Sequence, residues 1–277
     1  MQSVSGKTVL ITGAAMGMGK LYAQLAVEEN AAAVVLWDIN EAALKETVRE
    51  LAAIGGKVHS YIVDVSKLES IVAAAARVRA EIGNVDVLIN NAGVVRGKYF
   101  WEHDHIKDTF FTMSINALAL MYITREFLPA MIENGHESRV VNIASAAGLI
   151  SNPKMSVYCA SKWAATGWSD SVRLELEQAG HHHVKMTTVC PSYISTGMFE
   201  GAKAPLMTPI MTPEYVVDRV WKAMKVGKPV LTLPWTVRLS MFAKGSLPQP
   251  MWDFVADRLF GVYHTMDQFK GRSGAAK

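Results

Sequence analysis

The sequence predicts an α/β fold: a doubly wound parallel sheet of about seven strands in three α/β/α layers, with a C-terminal helical extension. Two observations predict it. Short apolar runs alternate with segments of helical periodicity through most of the 277 residues, the pattern of a parallel sheet covered on both faces. A glycine cluster, Gly13, Gly17 and Gly19, directly follows the first of those runs.

The elements follow in order. Thr8-Val9-Leu10-Ile11 reads as strand one and Val34-Val35-Leu36-Trp37 as a buried strand two. Glu41 to Ile54 carries Leu44, Val48 and Leu51 at helical spacing, and Gly55-Gly56 stops it. Val58 to Val63 is strand three. Ser66-Lys67-Leu68-Glu69 has the form of a capping box opening a helix. Val85 to Ile89, Val140 to Ile143, Val184 to Val189 and Val230 to Leu233 complete the sheet. Asp104 to Ile132 and Ser156 to Ala179 are long helices. With no repeat, linker or low-complexity segment, residues 1–277 read as one domain, with a substrate lid over 192–212 and the extension over 234–277.

Composition narrows the class. A net charge of +3 and the lack of any basic block interleaved with aromatics argue against nucleic acid. Two cysteines, Cys159 and Cys190, cannot make a disulfide framework and read as buried free thiols of a reducing compartment. The first apolar stretch leads straight into the glycine turn, so neither a signal peptide nor an N-terminal anchor is expected. The longest uncharged run, Thr109 to Thr124, is sixteen residues, short of the ~20 a spanning helix needs. A cytoplasmic protein is expected, with peripheral membrane contact left open.

At a turn such as Thr12 to Gly19, the first glycine permits a tight reversal. The second lets backbone approach a pyrophosphate, and the third lets helix and strand pack closely. The following helix, starting near Met18, offers unpaired N–H groups to phosphate. This is a Rossmann-type site for a dinucleotide, with Thr12, Gly13, Met16, Gly17, Met18 and Gly19 as contacts. Asp38 ends strand two, where a carboxylate accepts the ribose hydroxyls and repels a 2′-phosphate. Ile39-Asn40-Glu41 follow without a basic residue, which favours NAD over NADP. The alternative is that Asp38 helps Asn40 cap the next helix. Asp64-Val65 ends strand three, where Asp64 meets the adenine amino group or is a plain turn residue. Asn90-Asn91-Ala92-Gly93 forms a turn after strand four that can pass beside the cofactor.

Tyr158 and Lys162 stand four residues apart on one face of a helix, thirteen residues after Ser145. A free phenol titrates near ~10, and a neighbouring ammonium favours its ionised form. Lys162 is therefore expected to lower the Tyr158 pKa and to reach the nicotinamide ribose. Ser145 can hydrogen-bond the substrate oxygen. Tyr158 takes the hydroxyl proton as hydride leaves for nicotinamide, and reduction reverses these steps. Asn116 lies mid-helix in an apolar stretch, where a bare amide would be costly. It is expected to bend the helix and to hold water linking Lys162 to solvent. The mechanism needs no metal, and His181-His182-His183 reads as a solvated turn.

Together these motifs resemble the short-chain dehydrogenase/reductase family over roughly Gly6 to Val230. The resemblance implies a catalytic tetrad of Asn116, Ser145, Tyr158 and Lys162. It also implies cofactor contacts from Asn91, Ala92, Gly93, Pro191 and Ile194, with Thr196 on the nicotinamide carboxamide. Pro191-Ser192 departs from the family's usual Pro-Gly. Leu36-Trp37-Asp38-Ile39-Asn40, Phe127-Leu128-Pro129-Ala130-Met131 and Ala144 to Gly148 are similar to the branch of retinol and 17-beta-hydroxysteroid dehydrogenases.

Segments after the strand ends should line the substrate site, with Ala147, Leu149, Met155, Tyr193 and Phe199 as contacts. Their apolar character implies a bulky lipophilic alcohol or carbonyl, unless the lid packs on itself. The alternatives are a reductase of 3-oxoacyl thioesters or small ketones, and a non-catalytic NAD(H) sensor or scaffold. The extension is rich in aromatics and reads as a cover on the pocket or a dimer, as an interfacial membrane helix, or as plain core. Apolar coverage on the long helices, including Phe110, Phe111, Ala117, Leu120, Met121, Trp163 and Trp168, predicts an oligomer, and the family resemblance implies a homodimer or homotetramer.

Overall fold

The computed structural model describes residues 1–271. Seven parallel strands lie in the order β3-β2-β1-β4-β5-β6-β7: β1 Thr8–Thr12, β2 Ala33–Asp38, β3 Val58–Ile62, β4 Val87–Asn90, β5 Ser138–Ile143, β6 Val184–Pro191 and β7 Val230–Leu233. The order reverses between β1 and β4. In such sheets the crevice outside the carboxyl ends at this switch point takes the ligand.

The pleat divides the core. Val9 and Ile11 of β1 face one side with Val34, Leu36, Val87 and Ile89, against the helices Gly17–Glu28 and Pro213–Lys225. Leu10 faces the other side with Val35, Trp37, Leu88 and Val140, against Leu68–Glu81 and the long helix after β4. Burial on both faces explains why these strands read as continuous apolar runs rather than alternating ones.

Three local readings change. β4 starts two residues later than expected because the Asp86 carboxylate accepts the Thr8 N–H at 2.9 Å. The capping box at Ser66 does not form. Asp64 Oδ1 instead accepts the Ser66 hydroxyl at 2.6 Å and the Ser66 N–H at 3.0 Å, and the helix begins at Leu68. A carboxylate two residues away captures the hydroxyl that would have capped.

The third concerns the long helix. It runs unbroken from His105 to Glu133, 29 residues, and by length and composition it could cross a membrane. The sixteen-residue uncharged run understated it, because apolar residues continue past Arg125 and Glu126. Half of its most apolar window is buried inside the fold. Ala119, Ile123, Phe127 and Met131 form one stripe at four-residue spacing, packed on Trp37 and Leu88. The helix contains two wide turns, His105–Phe110 and Ser114–Leu118.

After β7 the extension forms helices Thr236–Ser246 and Gln249–Phe254 and a further helical turn to Leu259, then returns as an irregular segment toward the strand ends. Residues 272–277 of the expected extension lie outside the described residues.

Candidate active site

The glycine turn is built as its residue types require. Gly13 and Gly17 have φ of 63° and 55°, left-handed values that favour glycine. A Cβ on Gly19 would stand 2.1 Å from the Gly13 carbonyl oxygen, so the helix can approach the strand only without one. A Cβ on Gly17 would meet nothing nearer than Thr196 Cγ2 at 3.9 Å. That leaves open backbone beside Thr196 at the start of Gly17–Glu28, where no Met16 side-chain cap is made. Met16 and Met18 flank Gly17 at this helix start.

The turn is stitched to the end of β4. Thr12 Oγ1 accepts the N–H groups of Asn91 at 3.0 Å and Ala92 at 3.1 Å. Asn91 Nδ2 donates to the carbonyls of Thr12 and Gly13. Asp38 joins from β2, with Oδ2 accepting the Ala15 N–H and Oδ1 the Asn40 N–H, both at 2.9 Å. Asn40 caps the next helix through Ala43, and Asp38 holds the Asn40 N–H, so the carboxylate also supports that cap. Ile39 is exposed beside it. Asp64 spends Oδ1 on Ser66, and half-buried Val65 follows. These groups fit a dinucleotide: open glycine backbone, a helix N-terminus, and a carboxylate at the end of β2.

Ser145 follows β5, and Tyr158 and Lys162 lie on the helix Ser156–Gln178. Ser145 Oγ accepts the Ala147 N–H at 3.1 Å and donates to the Pro191 carbonyl at 3.4 Å. Lys162 Nζ donates to the Ile143 carbonyl at 2.8 Å and stands 5.8 Å from the Tyr158 ring centre. Burial pushes the Tyr158 phenol above its ordinary range, and a hydrogen bond with Ser145 pulls it back in part. The expected lowering by Lys162 is therefore reversed. The lysine is itself desolvated, down to about 8, and its hydrogen bond goes to the Ile143 backbone carbonyl.

Asn116 is fully buried in the wide turn Ser114–Leu118. Its Oδ1 accepts the Val94 N–H, and its Nδ2 donates to the Val94 carbonyl and to Ser161 Oγ. Ser161 in turn donates to the Tyr158 carbonyl at 2.7 Å. Gly93 lies between them: a Cβ there would stand 3.3 Å from Asn116 Oδ1 and 3.6 Å from Lys162 Nζ. Ser161 escaped the sequence reading, although a serine three residues after Tyr158 on the same helix was a visible signal.

Beside Ser145 opens a cavity of about 260 Å³. Ala147, Met155, Tyr193 and Phe199 line it, together with Ile150 and Asn152. Leu149 is not in its wall. The turn Ala146–Gly148 directs Ile150 there instead, and the Leu149 carbonyl accepts Lys244 Nζ at 3.2 Å. Phe199 stands edge-on to Tyr158 and to Tyr193. Leu206 and Met207 reach the cavity from the lid, and Val237, Leu239, Ala243, Phe260 and Val262 from the extension. Ile194 pairs with Met211 as a buried bridge of the core and lines a second pocket together with Tyr193 and Phe199. Cys159 packs with Met155, Tyr158 and Tyr193 as a buried free thiol. His183 spends Nε2 on the carbonyls of Met131 and Ile132.

A sequence profile of short chain dehydrogenases matches residues 7–206. The chain belongs to the short-chain dehydrogenase family. This short-chain dehydrogenase is 40% identical over 276 residues to epidermal retinol dehydrogenase 2 of Mus musculus, covering 98% of the chain and 87% of that protein. It is 37% identical over 250 residues to estradiol 17-beta-dehydrogenase 11 of Homo sapiens, covering 90% and 81%. A short-chain dehydrogenase/reductase from Burkholderia phymatum in complex with NAD superposes with a TM-score of 0.79 at 27% identity, covering 88% of this chain and 96% of that one. A metagenomic short-chain oxidoreductase in complex with NADP superposes with a TM-score of 0.69 at 29% identity, covering 83% and 96%. The protein is an oxidoreductase of alcohol and carbonyl groups.

Proposed function

We propose that the protein is an NAD-dependent dehydrogenase of bulky lipophilic alcohols, of the retinoid, steroid or long-chain kind. The carrying observation is the apolar cavity that begins at Ser145, beside the Tyr158 phenol. Asp38 supports NAD: its carboxylate points a negative charge at the place a 2′-phosphate would occupy. Ala15 and Asn40 hold it there.

A bound NAD supplies the hydride acceptor. The chain supplies the rest. Ser145 Oγ holds the substrate oxygen, and Tyr158 takes its proton as hydride departs. Lys162, beside Gly93, stabilises the Tyr158 phenolate that accepts this proton and would hold the nicotinamide ribose. Thr196, across the open backbone of Gly17, would hold the carboxamide. Asn116 fixes Tyr158 through Ser161 and Val94. The apolar walls orient the substrate and exclude water.

Substrates of this kind reside in lipid, and the surface around the cavity suits that source. Trp235, Phe242 and Phe254 of the extension are 65%, 73% and 61% exposed, and Leu206 and Met207 of the lid are exposed beside the cavity they line. We place this face against a lipid surface, as a peripheral contact of an enzyme facing a reducing cytoplasm. Exposed Ile106, Phe110, Tyr122 and Trp163 on the two long helices support a homodimer or homotetramer; Ala117 and Leu120 are consumed by the protomer's own core. Light scattering at micromolar concentration tests the assembly, and a single monomeric species refutes it.

The deciding experiment is initial-rate oxidation of an alcohol panel, from short secondary alcohols through hydroxysteroids to retinol, with NAD and NADP side by side. Turnover of the bulky members with NAD is expected. Preference for small polar alcohols, or for NADP, would overturn the reading.

A further inference from the structure

The segment from Val262 to Gly271 returns from the C-terminal helices and is fastened across the site. Three parts of the chain meet at one hydroxyl. Thr265 Oγ1 accepts Asn152 Nδ2 at 2.7 Å and the Tyr193 hydroxyl at 2.8 Å, and donates to the Val262 carbonyl at 3.0 Å. Asn152 follows β5, Tyr193 follows β6, and both line the cavity. Thr265 and its neighbour Met266 are buried, and Met266 packs in one cluster with Met155, Tyr158 and Tyr193.

The same segment is bonded to the lid. Lys203 N–H donates to the Thr265 carbonyl at 2.8 Å, Leu206 N–H to Phe260 at 2.9 Å, and Lys270 N–H to Glu200 at 2.9 Å. Lys154 pairs with Asp267 at 2.7 Å. Two glycines from distant segments make room for it. A Cβ on Gly97 would lie 2.2 Å from the Phe269 ring, and one on Gly201 would lie 2.1 Å from the Gln268 carbonyl oxygen. Gly97 is not among the glycines with positive φ. Its need for glycine comes from the close approach of Phe269.

We propose that this strap, fixed through Thr265, is the specificity-determining element of the substrate site. It holds the lid against the cavity and sets the length of apolar alcohol the site admits. The lid is then a layer of a lid–strap pair rather than a free flap, and Phe199 is held on Tyr158 through it. This inference rests on the cavity being the substrate site.

The test uses three variants of the full chain. Thr265→Val keeps the shape and removes the hydroxyl, taking the shared acceptor from Asn152 and Tyr193, which keep only each other and the Met155 sulfur. Gly97→Ala disturbs the strap from the opposite side. Thr265→Ser restores the hydroxyl. Hydrogen exchange should quicken about tenfold or more at the amides of Lys203 and Leu206 in the first two variants, with β4 and β5 unchanged, and return toward wild type in the third. The kcat/KM ratio of long to short apolar alcohols should shift about tenfold, through KM, while kcat for a short secondary alcohol stays within about twofold. Unchanged lid exchange in both disturbed variants overturns the proposal, as does an equal loss for every alcohol. A wild type that oxidises no apolar alcohol refutes the substrate reading instead, and exchange alone then decides whether the strap holds the lid.

Discussion

Lys162 Nζ donates to the Ile143 carbonyl at 2.8 Å, anchoring a buried lysine to the last residue of β5. Burial lowers this lysine to about 8, whereas an unfolded lysine titrates near ~10.4. Between those values the unfolded chain keeps a proton that the folded protein has released, so stability rises with pH across the window. Below it, the folded protein carries a desolvated ammonium. Lys162→Met removes the titration. The melting temperature of the cofactor-free variant minus that of wild type should therefore decrease from pH 7 to pH 10. A gap independent of pH would show that the ammonium is not desolvated.

Tyr158→Phe keeps the ring against Phe199 and removes the acid/base. The kcat/KM for alcohol oxidation should fall about 10²–10⁴-fold, while an NADH fluorescence titration gives an unchanged Kd. Parallel loss of cofactor binding would mean that the phenol holds the nucleotide rather than the proton.

Asp38→Asn removes the charge and keeps one of the two side-chain acceptors that the Ala15 and Asn40 N–H groups use. The NAD-to-NADP ratio of kcat/KM should drop at least about tenfold, equivalent to about 1.4 kcal/mol. An unmoved ratio would transfer cofactor choice to other residues.

Two glycine variants test the turn against a control. Gly19→Ala places a methyl 2.1 Å from the Gly13 carbonyl. Overpacking of this kind costs about 1–3 kcal/mol, so both the melting temperature and NAD affinity should fall. Gly167→Ala, on an exposed helix position with nothing within 4 Å, should stabilise by about 0.5–1 kcal/mol. Thermal unfolding of both proteins measures the contrast.

Lipid contact has its own readout. Trp235→Ser with Phe242→Ser should reduce co-sedimentation with phosphatidylcholine–phosphatidylserine vesicles and leave kcat/KM for a soluble short alcohol unchanged. Wild-type protein that stays in the supernatant would remove the lipid surface from the proposal.

Local chemistry carried much of this molecule in the linear order of residues. The apolar runs announced a two-faced parallel sheet because strands buried on both sides cannot alternate. The glycines of residues 13–19 were legible because left-handed backbone and a strand–helix approach tolerate no Cβ. Spacing placed Ser145, Tyr158 and Lys162, since four residues on a helix return to one face. Ser66 was misread because a hydroxyl chooses among nearby acceptors, and Asp64 was the nearer one. Leu149 was misread because the short turn at Ala146–Gly148 decides which neighbour faces inward.

The sequence by itself determined the sheet, the glycine turn and the placing of Tyr158 and Lys162 on one helix face, because each depends on spacing and backbone freedom within a few residues. Only the tertiary structure decided the balance of charge and the shape of the substrate site. Desolvation of Tyr158 and Lys162 depends on everything packed around them, so no local pattern could show that burial sets the direction of both shifts. The Thr265 hydroxyl joins Asn152 and Tyr193 of the cavity wall, 113 residues apart at its longest step, and a contact of that separation exists only once the chain has closed on itself.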